Sequence, residues 1–114
     1  MSKSAIRARN LAAGVVGGMM LMAGEPALAW DGVVTGTIAS IEVAQGNNFA
    51  FRVHLSGVAT ACTGGPSWSY LNEGDSNYKT FVAALMMAKA QGSAVNIYST
   101  MVNGYCQIGH IGIA

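Results

Sequence analysis

Beyond residue 29, apolar positions follow a helical period in only one stretch of the chain. Tyr78, Phe81, Val82, Leu85 and Ala88 recur at i, i+3 and i+4 spacing, which predicts a helix over residues 77–91 with this stripe against a core. Gly92 is a natural left-handed stop. Asp75, Ser76 or Asn77 is placed to cap the start, and the charge of Asp75 suits the positive end of the helix dipole.

Elsewhere the period is two. In residues 33–43, Val34 and Ile38 share one phase while Ile41 and Val43 share the other, which predicts a strand with a bulge near Ala39 and Ser40, or one curling between two surfaces. Residues 44–48 read as a turn. Residues 49–56 alternate cleanly, with Phe49, Phe51, Val53 and Leu55 on one face and Ala50, Arg52, His54 and Ser56 on the other. Residues 57–66 form a loop that holds Cys62 and breaks at Gly64, Gly65 and Pro66. A third strand is expected over 67–72. After the helix, Val95 and Ile97 head a fourth strand, residues 102–104 carry a hairpin signal, and 105–113 form a fifth strand.

The order is therefore β-β-β-α-β-β. It predicts a mainly β fold: a small five-stranded OB-like Greek-key barrel with one helix between strands 3 and 4, plugging one end. The alternative is an open α+β sheet with the helix packed across it.

The N-terminus changes the picture of what folds. Lys3, Arg7 and Arg9 precede an uncharged apolar run over 11–24, and Ala27-Leu28-Ala29 has the small-x-small form of a cleavage site. Residues 1–29 are read as a cleaved signal peptide and 30–114 as a single domain, exported to the periplasm or secreted. The apolar run is shorter than the roughly 20 residues that a spanning helix needs, and no cysteine follows it, so no stable membrane anchor is expected.

A domain this small buries only about 60% of its unfolded surface and needs added support. Cys62 and Cys106 are the only cysteines, and in an oxidising compartment they are expected to pair. A free catalytic thiol or a metal pair is the alternative, but no second thiol or histidine stands at ligand spacing. Asp31, Glu42, Glu73 and Asp75 face Arg52, Lys79 and Lys89, a balance of −1 for residues 30–114. With no basic patch to neutralise phosphates, nucleic acid is not expected as a partner.

Two resemblances follow from these residues. Asn77-Tyr78-Lys79, then Ala88, Gly92, Val95 and Ile97, then Cys106, Ile108 and Ile111 resemble a group of short exported bacterial proteins over the C-terminal third to half of the chain. In element order alone, the helix, glycine, strand, hairpin and strand ending is similar to the B subunits of AB5 toxins. That likeness implies an OB-fold, glycan binding and ring-shaped assembly. It carries over no contact residues.

Candidate chemistry is sparse. His54 or His110 as base, Ser69 or Ser99 as nucleophile and Asp75 or Glu42 as orienter are the residue types catalysis would use, but no motif spacing joins them. No enzyme activity, metal or cofactor is expected. Thr63-Gly64-Gly65 lacks the lysine and following helix of a phosphate cradle and reads as a turn. Ligand binding is better supplied. Trp68 and Tyr70 share one face of the third strand, Tyr98 and Tyr105 lie in the later strands, and Arg52 and His54 share the polar face of the second. Aromatic faces flanked by polar groups suit sugars, although a small domain also has use for such rings in its core. In an OB-type barrel the ligand face is that of strands 2 and 3, here Arg52, His54, Ser67 and Ser69, flanked by the loops 44–48 and 101–104.

The helix has a second face, Ala83, Met86, Met87 and Ala90, that one small domain can hardly bury. It predicts a contact surface for a protein partner or for homo-oligomerisation. The functional expectation is an exported binding or assembly module with a glycan or protein ligand. The alternatives are an extracytoplasmic enzyme or enzyme inhibitor, and a structural envelope protein.

Overall fold

The computed structural model describes residues 30–114. The signal-peptide reading of residues 1–29 lies outside the described residues. Among the described residues, five strands and one helix form: β1 (Gly32–Val43), β2 (Phe51–Leu55), β3 (Trp68–Leu71), α1 (Tyr78–Gln91), β4 (Ala94–Val102) and β5 (Tyr105–Ile113). The strands close on themselves in the order β1-β2-β3-β5-β4, so the sheet is a ring and not the open sheet of the alternative. All pairings are antiparallel except β3 with β5, which is parallel and spans only Ser69 with Cys106 and Tyr70 with Gln107.

The change of phase in β1 has the expected cause. Ile38 pairs with Leu55 and Ser40 with His54, leaving Ala39 as the extra residue of a bulge. The bulge divides β1 between two partners: residues 32–37 pair with β4, and 38–43 with β2. Bending one long strand in this way is how a small sheet closes without an exposed edge. Val43 departs from its expected phase role. It is 75% exposed at the hairpin end, outside the core cluster.

The barrel interior is filled by Ile38, Phe51, Val53, Leu55, Leu71, Val95, Ile97 and Ile108, with Leu85 and Ala88 entering from the helix. Tyr78, Phe81 and Val82 pack at the rim of this cluster, so the whole predicted stripe faces inward. The start of the helix is built differently from the expectation. Asn77 is left-handed (φ 61°) and makes no side-chain cap, and no acidic residue lies in the first turn. Asp75 is engaged elsewhere: its Oδ2 accepts from the Asn72 N–H at 2.8 Å and from Gln107 Nε2 at 3.1 Å, tying the turn to β5. Gly92 ends the helix as expected, with φ 68°.

The 57–66 loop runs beside the half of β1 that β2 leaves unpaired. Ser56 donates its N–H to the Thr37 carbonyl, and Thr63 donates its N–H to the Asp31 carbonyl. The Cys62–Cys106 disulfide (S–S 2.01 Å) fastens this loop to β5, and both cysteines are buried. Gly65 lies directly on it, since a Cβ there would fall 2.4 Å and 2.6 Å from the two sulfurs. Gly64 turns at φ 77°, so these glycines serve a turn and a close approach.

Candidate functional site on the outer β2–β3 face

Alternation places half of each strand outside the barrel. On β2, Phe51, Val53 and Leu55 point in, which leaves Arg52 and His54 outside. On β3, Ser69 and Leu71 are inward, which leaves Trp68 and Tyr70 outside. The register sets Arg52 opposite Tyr70 and His54 opposite Trp68, so all four predicted ligand residues share one patch.

Two further rings join them. The alternation groups Phe49 with Phe51, but its backbone is left-handed (φ 52°), which throws the ring to the outer face. A bulky residue rarely adopts this conformation. Here the Asn72 side-chain carbonyl holds it, accepting the N–H of Phe49 at 2.8 Å and that of Ala50 at 3.4 Å. Tyr105 arrives from the other side of the closed ring: Cys106 pairs with Ser69, which brings the preceding tyrosine beside Trp68. The tight turn before it uses positive φ at Asn103 (51°) and Gly104 (88°), the signature of a two-residue hairpin.

The result is an aromatic cluster on the outside of a barrel whose interior is already full. Phe49 lies 5.6 Å from Trp68, 4.7 Å from Tyr70 and 4.7 Å from Tyr105, and Trp68 lies 5.4 Å from Tyr105, all between ring centroids. The edge-on geometry of Phe49 against Trp68 and Tyr70 is one that ring quadrupoles favour. Tyr70 is buried at the base of the cluster, and Tyr105 is the most open ring, 38% exposed. Trp68 and Phe49 are half-buried. Burial, and then the negative charge of Asp75, push the Tyr70 phenol above its ordinary value of 10.0.

Arg52 crosses this cluster. Its guanidinium carbon stands 5.8 Å from the Phe49 ring centre and 5.4 Å from that of Trp68. Nε donates to the Phe49 carbonyl at 3.0 Å and Nη2 to the Asn48 carbonyl at 3.1 Å, so the fork fastens the β1–β2 turn to the strand. Glu42 lies beside it, with Oε1 3.8 Å from Arg52 Nη1 and 3.9 Å from His54 Nε2. Polar groups of both charge signs therefore border the rings, and the local charge of Arg52 and Glu42 cancels.

The other named residues are placed apart. Ser69 does not lie on the ligand face as expected but is buried inside the barrel, as is Ser99, whose Oγ donates to the Ala61 carbonyl at 3.4 Å. Neither serine is hydrogen-bonded to a histidine among the described residues. His110 stands edge-on to Tyr98 at 4.8 Å, with Trp30 6.3 Å away, in a second and smaller aromatic group on β4 and β5. A cleft of about 240 Å³ lies between the helix start and β5, lined by Asp75, Asn77, Phe81 and Gln107, with no histidine among its lining residues. Among the described residues, no three His, Cys, Asp or Glu side chains gather as metal ligands would. Ala83, Met86, Met87 and Ala90 are all exposed on the helix, the two methionines at 55% and 53%. No described helix is long and apolar enough to cross a membrane.

No protein-family model matches the chain, and no curated protein matches it significantly.

Proposed function

We propose that this is an exported binding module of the OB type that takes an oligosaccharide on the outer β2–β3 face and performs no catalysis. The strand order, with β3 and β5 parallel and the helix between β3 and β4, supports the OB-type Greek-key assignment. In that architecture the face of strands 2 and 3 and the loops between strands 1–2 and 4–5 bind ligands. Phe49 from the first of those loops and Tyr105 next to the second fit the same scheme. The buried disulfide supports a life in an oxidising compartment, in keeping with the N-terminal address.

One observation carries the ligand reading. Trp68 and Tyr105 expose aromatic surface outside a core that has no need of them, bordered by the donors and acceptors of Arg52, His54 and Glu42. A ring of this kind packs on the apolar C–H face of a sugar while its polar neighbours bond the hydroxyls. Screening wild type and Trp68→Ala on a glycan array tests it. Hits that Trp68→Ala loses support the reading. An array without hits, or hits indifferent to Trp68, would remove it.

A further inference from the structure

The helix carries two apolar stripes, and among the described residues only the inner one packs against the barrel. The outer stripe is Ala83, Met86, Met87 and Ala90, at i, i+3, i+4 and i+7, the spacing of a seam between two helices. Its sequence reads the same in both directions: alanine, two residues, two methionines, two residues, alanine. A two-fold axis pairs position i with j and j with i, so an antiparallel pairing centred between Met86 and Met87 sets alanine against alanine and methionine against methionine.

We infer that two copies of this chain pack through α1, antiparallel, about a two-fold axis between Met86 and Met87. In that arrangement Ala83 meets Ala90 of the partner subunit, and the alanines let the helix axes approach closely while the methionines fill the flanks. Charge supports the antiparallel sense. Lys79 lies four residues before Ala83 on the same side, about 6 Å along the axis at 1.5 Å per residue. It therefore reaches past Ala90 of the partner subunit to the negative end of that helix's dipole. The helix holds no acidic residue, and its other lysine, Lys89, projects about 120° away from Ala83, off the seam. A parallel pairing would instead set Lys79 against its own copy. A single seam of this length buries less than the ~1,200 Å² of a stable complex, so the dimer forms only at high protein concentration.

This dimer is independent of the oligosaccharide reading, since the helix seam shares no residue with the β2–β3 face. Two cysteine variants, Ala83→Cys and Ala90→Cys, test it under mild oxidation. The antiparallel seam predicts a disulfide-linked heterodimer when the two variants are mixed, and little homodimer from either alone. Each variant linking to itself would overturn the antiparallel sense. No link in any mixture, with sedimentation showing only monomer, would overturn the dimer. Met87→Glu supplies a second arm: with its circular dichroism unchanged, it must shift sedimentation toward monomer, and a persisting dimer contradicts the proposal.

Discussion

The Arg52 guanidinium stands over Trp68, 5.4 Å from the ring centre, while Nε and Nη2 bond the carbonyls of Phe49 and Asn48. One side chain thus fastens the β1–β2 turn, orients two rings and presents a charge at the edge of the candidate site. A lysine has the charge but not the planar fork. Arg52→Lys is expected to lose about 1–2 kcal/mol of stability, measured by chemical denaturation, through the lost carbonyl bonds and ring stacking. An unchanged midpoint would mean that the fork holds nothing.

Gly65 sits against both sulfurs of the disulfide, with 2.4 Å and 2.6 Å between them and any added Cβ. Neither the buried sulfurs nor the loop can yield by that much without unpacking. Gly65→Ala should destabilise the domain by about 3 kcal/mol, the upper range of overpacking costs. Thermal melting of the oxidised protein checks it, and a wild-type melting point would contradict the packing described here.

Replacing both cysteines by alanine removes a link across 44 residues. The chain-entropy account gives a loss of about 4 kcal/mol for a loop of that size. In a domain that is marginal by its size, the variant should be largely unfolded at physiological temperature, visible as collapsed amide dispersion. A well-folded double alanine variant would show that the barrel does not need its staple.

The Tyr70 phenol is pushed above 10.0 by burial and by Asp75. In the unfolded chain it ionises at its ordinary pKa. Its contribution to stability is therefore complete below pH 10 and is lost as pH rises from there through the folded value. Tyr70→Phe should remove part of the alkaline fall in the denaturation midpoint while leaving the slope near neutrality alone. Parallel slopes above pH 10 for the two proteins would contradict the burial of that phenol.

Much of this was legible from residue periods alone. The helix stripe, the order of elements along the chain and the bulge near Ala39 follow from local patterns that the fold respects, and the cysteine pair from there being only two cysteines. Phe49 shows where such patterns fail. Its parity groups it with Phe51, but a left-handed backbone, held by the side chain of Asn72 more than twenty residues away, reverses its face. Tyr105 fails differently. Cys106 and Ile108 point inward, so its outward face is readable, but its place beside Trp68 depends on closure of β3 against β5. The helix cap is the third case: Asp75 stood at a capping position, yet its carboxylate is drawn to Asn72 and Gln107. Five members of the candidate site, Arg52, His54, Trp68, Tyr70 and Tyr105, could be named from the sequence, and Phe49, turned outward by a long-range contact, could not.

The proposed oligosaccharide packs on Trp68 at the outer β2–β3 face. Titrating the isotopically labelled protein with a neutral oligosaccharide drawn from the array hits, and following the Trp68 indole N–H by NMR, tests it most directly. A saturable shift of that signal, with the backbone amides around Arg52 and Tyr105 moving along with it, is the predicted result. Binding that leaves the Trp68 indole unmoved and shifts residues elsewhere would contradict it.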